Sequence, residues 1–272
     1  MNFIEKLTNA TRKNKSLLCV GLDPDPELMP ENIDVFEFNR AIIEASADLV
    51  CAYKLNLAFY EALNEGLDAL KRTIKYIPDD IPVIGDAKRG DIGNTAKAYA
   101  KAIFTNLNCD ATTVNPYLGF DSIEPFIQYK DKGVFILCRT SNAGALDFQS
   151  VRCEAGPDYR PLFELVALKA GQWNKYGNIG LVVGATYPEE LKLIRQAHPD
   201  MPLLIPGIGA QGGDLAAAVR YGVDANGEKA IISSSRQIIY ASREKDFAQA
   251  AHRVASSLRD QINHHLPTGT SG

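Results

Sequence analysis

The chain has 272 residues, 46% of them hydrophobic, which is enough apolar material for one large core or two modest ones. Its net charge of −4 disfavours a general nucleic-acid surface, because binding to the phosphate backbone normally requires a basic face. Residues 1–15 lack the apolar core of a signal peptide, and no apolar run approaches the ~18 residues of a membrane-spanning helix. We therefore expect a soluble cytoplasmic protein.

Apolar runs typical of buried strands alternate with segments of helical periodicity along the whole chain. The predicted strands are LLCVGL, LVCAYKLN, PVIGDAK, ATTVNP, GVFILCRTS, IGLVVGA, PLLIPGIG and KAIISSS. A helix is predicted after each strand, including one continuous helix over 58–77, one capped by Asn94 or Thr95, and a long final helix. Residues 142–160 are predicted to be irregular.

Near-continuous apolar strands are usually covered by helices on both faces, which indicates an α/β protein. We predict a single closed (β/α)8 TIM barrel, and a doubly wound open sheet is the main alternative. We expect one domain over residues 1–272, with a frayed tail from about residue 266.

Cysteine and histidine chemistry is not indicated by the sequence. The five cysteines are scattered without a Cys-x-x-Cys pair, so neither a disulfide framework nor a structural zinc site is predicted. The four histidines all lie from residue 198 onward, which disfavours most histidine-based mechanisms.

The third predicted strand ends in the charged stretch DAKRGDIGNT. Asp86 and Lys88 are two residues apart, so on a strand they share a face, and in a barrel they point into the mouth at the C-terminal end. Lys54 ends the preceding strand and is expected beside Asp86, while Asp91 lies in the following loop. Solvated loop charges or a salt-bridged rim are the alternative interpretation.

A second cluster, PGIGAQGGD, follows the seventh strand, where glycines let backbone N–H groups approach an anion. Arg236 follows the eighth strand and could bind phosphate with its planar guanidinium, and Gln211 could add a neutral donor. A plain tight turn is the alternative, but the position of Arg236 on the neighbouring strand favours a phosphate site.

The stretch DAKRGDIGNTA resembles the D-x-K-x-x-D-I-x-x-T signature of the orotidine 5′-phosphate decarboxylase family, and PGIGAQGGD with a later arginine resembles its phosphate site. The resemblance extends from GLDPD through YKLN, TSNAGA and SSSRQIIYA, and the longer central segment is similar to the larger bacterial branch, type 2. It implies a homodimeric TIM-barrel lyase that converts orotidine 5′-monophosphate to uridine 5′-monophosphate, the last step of de novo pyrimidine synthesis, without a metal or organic cofactor.

The resemblance also implies roles for individual residues. The charged array would consist of Lys54, Asp86, Lys88 and Asp91, with Asp91 entering the site of a neighbouring subunit. Substrate contacts would come from Ile92 and Thr95 across the dimer interface, Asp23 at the ribose hydroxyls, Ser141 at the pyrimidine, and Gln211, Ser235 and Arg236 at the phosphate. Ser235 departs from the shorter branch of the family, in which a glycine commonly precedes the arginine.

In this interpretation the ammonium of Lys88 stabilises the carbanion that forms at C6 and then donates the replacing proton. Asp86 and Asp91 favour the charged form of that lysine, and crowding of the substrate carboxylate by Asp86 is a secondary effect.

Three alternative functions follow from the same residues. A 3-keto-gulonate-6-phosphate decarboxylase or hexulose-phosphate synthase would use Mg²⁺ and generally needs an acidic ligand near the end of the second strand, where this chain has Lys54. A Schiff-base aldolase would need a free amine at Lys54 or Lys88, which flanking carboxylates disfavour. A non-catalytic phosphosugar-binding barrel is disfavoured by the intact Asp86, Lys88 and Asp91.

Overall fold

The computed structural model describes residues 1–155, 158–208 and 212–267. Its strands, in chain order, are β1 (Leu18–Gly21), β2 (Ala52–Asn56), β3 (Val83–Arg89), β4 (Ala111–Val114), β5 (Gly133–Arg139), β6 (Arg152–Ala155), β7 (Asp158–Pro161), β8 (Ile179–Val183), β9 (Leu203–Ile205) and β10 (Ala230–Ser234). Eight of them form a closed parallel barrel in the order β1-β10-β9-β8-β5-β4-β3-β2, and β6 pairs with β7 as an antiparallel hairpin. The predicted (β/α)8 TIM barrel is confirmed.

Helices cover the outside of the barrel. They are α1 (Phe3–Asn14), α2 (Val35–Ser46), α3 (Leu57–Glu61), α4 (Gly66–Tyr76), α5 (Gly93–Lys101), α6 (Phe120–Ile127), α7 (Leu162–Trp173), α8 (Pro188–Ala197), α9 (Leu215–Gly222), α10 (Arg236–Ile239) and α11 (Phe247–His264). The long final helix predicted from the sequence is α11, which the short α10 precedes. In the part of the chain that the structure describes, no helix is both long and apolar enough to cross a membrane.

The continuous helix predicted over 58–77 is wrong, because α3 ends at Glu61 and α4 begins at Gly66. The N–H of Gly66 donates to the carbonyl of Leu63, which closes a tight turn between the two helices. A Cβ atom at Gly66 would lie 1.8 Å from the carbonyl oxygen of Tyr60, so the turn depends on glycine at this position. The apolar residues keep their helical spacing across this turn, so the sequence pattern does not reveal the break between α3 and α4.

The predicted cap of α5 is also wrong. The N-cap residue is Ile92, without a side-chain capping bond, and both Asn94 and Thr95 lie inside the first turn. Gly93 has a φ of +56°, a left-handed conformation that glycine adopts without a steric cost. The helix begins at Gly93, before the polar residues that suggested a cap.

Residues 142–160 are not irregular throughout. They contain a 3-10 turn at Ala143–Asp147, strand β6, and most of strand β7. None of the side chains of this hairpin that the structure describes is buried, and Tyr159 on β7 is 58% exposed. The hairpin therefore needs no alternation of apolar and polar residues, and its sequence gives no strand signal.

The N-terminal end of the barrel is closed by α1, for which the sequence analysis gave no prediction. Phe3 is buried there and packs edge-on against Phe135 of β5, with ring centroids 5.7 Å apart. Asn2 and Glu5 form a reciprocal capping box that fixes the start of this helix. Because this end is filled by apolar side chains, polar side chains inside the barrel face the opposite, C-terminal mouth.

Candidate active site

Three charged side chains meet at the C-terminal mouth of the barrel, from β2 and β3. Asp86 is only 7% exposed, and each of its carboxylate oxygens contacts an ammonium group. Lys88 Nζ lies 2.6 Å from Oδ1, and Lys54 Nζ lies 3.3 Å from Oδ2. The structure therefore brings Lys54, Asp86 and Lys88 into direct contact, and Asp86 joins the two lysines.

Asp23 adds a second carboxylate on the other side of Lys54. Its Oδ1 lies 4.0 Å from Lys54 Nζ and accepts a hydrogen bond of 3.2 Å from the backbone N–H of Asn56. Burial alone would lower the pKa of Lys54, but Asp23 and Asp86 together raise it above its usual value. Lys54 is thus held as an ammonium and cannot act as a neutral amine.

Asp86 remains ionised despite its burial. Burial alone would raise its pKa, but the charges of Lys54 and Lys88, together with hydrogen bonds from Lys88 and Thr113, lower the pKa to about 2. The carboxylate is consequently negative across the whole physiological range and can anchor both lysines.

Thr113 on β4 also contacts Asp86, although it is not among the predicted site residues. Its hydroxyl donates to Asp86 Oδ1 at 2.7 Å and accepts from the backbone N–H of Lys88 at 3.0 Å. Threonine in the run ATTV is typical of any strand, so the sequence carries no signal for this contact.

Asp91, Ile92 and Thr95 are not brought into the array by their own chain. The described ion pairs of the array join Lys54 and Lys88 to Asp23 and Asp86, and none of them reaches Asp91. The Asp91 carboxylate instead accepts a hydrogen bond from the N–H of Ile92. Ile92 is 55% exposed and Thr95 is also exposed, so this loop faces away from the core.

Ser141 lies just beyond the end of β5, against the end of β8. A Cβ atom at Gly184 would lie 2.8 Å from the Cβ of Ser141, so glycine permits the close approach of these two strand ends. The carbonyl of Ser141 accepts a long hydrogen bond from the hydroxyl of Thr186 at 3.5 Å. These contacts hold Ser141 at the rim of the same mouth.

The residues predicted to bind phosphate follow β9 and β10. Ser235 donates from its hydroxyl to the carbonyl of Gly21 at 3.0 Å, and the exposed Arg236 begins α10. After β9, Gly207 has a φ of +100° and its carbonyl accepts a hydrogen bond from the N–H of Gly213. Gln211 lies outside the described residues.

The described residues contain no group of three or more histidine, cysteine, aspartate or glutamate side chains arranged to hold a metal ion. At the mouth, both oxygens of Asp86 are already in contact with ammonium groups. One of these ammonium groups belongs to Lys54, the third residue of β2.

Residues 16–253 match the model of the orotidine 5′-phosphate decarboxylase / HUMPS family. The chain belongs to this family. It is 59% identical over 266 residues to an orotidine 5′-phosphate decarboxylase of Dehalococcoides mccartyi, covering 97% of this chain and 98% of that protein. The same enzyme of Ralstonia pickettii is 52% identical over 272 residues, with the same coverage. The solved OMP decarboxylase of Leishmania donovani is 40% identical, with a TM-score of 0.83 and coverage of 97% and 100%.

The lowered pKa of Asp86 predicts a specific dependence of stability on pH. Because the group binds a proton less readily in the folded state, its contribution is present above the unfolded-state value near 4 and is lost as pH falls toward about 2. We expect the parent to lose about 2 kcal/mol of its free energy of unfolding through Asp86 over that window, and Asp86→Asn not to show this loss. Urea unfolding of the parent and of Asp86→Asn between about pH 7 and pH 3 measures where their free energies of unfolding begin to respond differently to pH.

Asp68→Asn, at a carboxylate on the exposed surface, controls for the removal of one negative charge. If the difference in stability between the parent and Asp86→Asn is constant from neutral pH to about pH 3, the account of the Asp86 contacts is wrong.

Proposed function

We propose that the chain decarboxylates orotidine 5′-monophosphate to uridine 5′-monophosphate with its own side chains and without a cofactor. The observation that carries this proposal is the contact of Lys88 Nζ with the buried Asp86 at the barrel mouth, 2.6 Å away, with Lys54 on the other oxygen. Relatives that are 52–59% identical over nearly their full length are orotidine 5′-phosphate decarboxylases, which supports the same reaction here.

In the proposed step, the bond between C6 of the pyrimidine and its carboxylate breaks, CO₂ leaves, and the electron pair stays at C6. The ammonium of Lys88 stabilises this developing negative charge and then transfers a proton to C6, which completes uridine 5′-monophosphate. The neutral amine that remains on Lys88 regains a proton from solvent before the next turnover.

Asp86 and Lys54 prepare Lys88 for this role. Asp86 fixes the position of the Lys88 ammonium through the contact of 2.6 Å between Oδ1 and Nζ. Lys54 contacts the opposite oxygen of Asp86, so the carboxylate cannot rotate freely away from Lys88. A preorganised array of this kind stabilises charge in the transition state without having to rearrange during the reaction.

The remaining predicted site residues are proposed to hold the substrate. We place Asp23 at the ribose hydroxyls, Ser141 at the pyrimidine edge, and Gln211, Ser235 and Arg236 at the phosphate. Gly207 and Arg236 follow the neighbouring barrel strands β9 and β10, which is a frequent position of phosphate sites in TIM barrels. Binding energy from the phosphate, remote from C6, can then be used to position the reacting end.

We also propose that the enzyme is a homodimer with shared sites, in which Asp91, Ile92 and Thr95 of one chain complete the array of the other. Exposure of Ile92 and the position of Asp91 outside the array of its own chain support this arrangement. We further propose that residues 1–272 form one domain and that the enzyme works in the cytoplasm.

The proposed activity is tested by incubating orotidine 5′-monophosphate with the purified, EDTA-treated chain and following ultraviolet absorbance. We expect full conversion to uridine 5′-monophosphate without added metal, because the lysine ammonium supplies both the stabilising charge and the proton. Lys88→Ala should lose most of kcat while still binding uridine 5′-monophosphate, since its largest contribution is made in the transition state. Activity that disappears with EDTA and returns with Mg²⁺ would instead support a metal-dependent reaction.

The shared-site proposal predicts complementation between two inactive variants. Lys88→Ala and Asp91→Ala homodimers should each be nearly inactive. After the two are mixed and re-associated, about half of the dimers are mixed, and each of these has one site with both defects and one with neither. Activity should therefore return to roughly a quarter of the parent value.

Subunit exchange is verified by native mass spectrometry of differently labelled chains. As a control, two separately prepared batches of Lys88→Ala are mixed in the same way and should stay inactive. No recovery of activity in a mixture that has demonstrably exchanged would mean that Asp91 acts within its own chain.

A further inference from the structure

The ladder between β3 and β4 is interrupted next to the catalytic lysine. Gly85 pairs with Thr112 and Arg89 pairs with Val114, so three residues of β3 lie opposite the single residue Thr113 of β4. Bulges of this kind bend a strand and redirect its side chains, and they occur frequently beside active sites. Asp86 and Lys88 are two of the three bulged residues of β3.

The bulge places Lys88 in an unfavourable backbone conformation. Its φ is +48°, in the left-handed region, where a residue with a Cβ atom is sterically disfavoured. Because the bulge removes the regular partner across the ladder, the N–H of Lys88 also needs another acceptor. That acceptor is the hydroxyl of Thr113, at 3.0 Å.

The same hydroxyl acts on Asp86. It donates to Oδ1 at 2.7 Å, and this is the oxygen that Lys88 Nζ contacts at 2.6 Å. One hydroxyl thus accepts from the backbone of the lysine and donates to the carboxylate that holds the ammonium of the same lysine. Thr113 is 1% exposed, and its β-branched side chain has few rotamers on a strand, so the hydroxyl is held in place.

We propose that Thr113 is a positioning residue for the decarboxylation: its hydroxyl stabilises the left-handed backbone of Lys88 and the orientation of Asp86, and so fixes the Lys88 ammonium. This inference rests on the proposed function for its effect on turnover. Its structural part, the dependence of the contact between Lys88 and Asp86 on Thr113, can be tested without activity.

The neighbouring residue provides a matched control. Thr112 is also a fully buried threonine of β4, and its hydroxyl donates to the carbonyl of Gly85 at 2.8 Å, a contact that involves neither Asp86 nor Lys88. Thr112→Val and Thr113→Val each remove one buried hydroxyl from the same strand. A purely structural role would give the two variants similar kinetics.

The experiment measures kcat and KM of the parent, Thr113→Val, Thr113→Ser and Thr112→Val with orotidine 5′-monophosphate. We expect Thr113→Val to lower kcat roughly 10- to 100-fold, the range for removing a hydrogen bond to a charged group, with KM changed less than about threefold. Thr113→Ser keeps the hydroxyl and should stay within about threefold of the parent, as should Thr112→Val. If Thr113→Val does not fold, Thr113→Ala replaces it.

Equal kcat for Thr113→Val and Thr112→Val would overturn the proposal. So would a Thr113→Ser enzyme as slow as Thr113→Val, since the methyl group and not the hydroxyl would then matter. If the parent itself does not turn over the substrate, the proposed function fails, and crystal structures of the two valine variants still decide the role of Thr113. We expect Thr113→Val to lose the left-handed Lys88 backbone or its contact with Asp86, and Thr112→Val to keep both; retention of both in Thr113→Val contradicts the inference.

Discussion

A buried carboxylate at the mouth of the barrel, Asp86, is the constraint on which the rest of the site depends. An unpaired charge in such a position would be strongly destabilising, so its surroundings must supply positive charge and hydrogen-bond donors. Lys54 and Lys88 approach its two oxygens, and Thr113 donates to one of them. Because the buried carboxylate needs positive partners, two ammonium groups are held together at the end of the barrel that the substrate can reach.

The barrel provides this arrangement with few residues. Parallel strands end at one edge, so side chains from β2 and β3 meet without long loops, and α1 closes the opposite end with apolar side chains. A regular strand would continue in one direction, whereas the bulge between β3 and β4 changes the direction of the backbone at Lys88. Regular geometry brings the charges together, and the local irregularity sets their final positions.

The sequence predicted the barrel and the meeting of Lys54 with Asp86, because strand patterns and side-chain alternation are local properties. It could not predict the break before Gly66, which depends on a close approach between backbone segments. Nor could it predict the hairpin in 142–160, because none of the hairpin side chains that the structure describes is buried. Thr113 was missed for a similar reason, since its two contacts arise from a bulge that only the paired strands reveal.

In the proposed reaction, the Lys88 ammonium faces C6 and transfers a proton to it. If it does, the same lysine must also catalyse the reverse transfer, and the enzyme should exchange the C6 hydrogen of uridine 5′-monophosphate for deuterium in D₂O. Proton NMR of the bound and released nucleotide measures this exchange without any decarboxylation. We predict exchange by the parent and none above background by Lys88→Ala at nucleotide concentrations that saturate both. Equal exchange by the two enzymes would mean that Lys88 does not transfer the proton to C6.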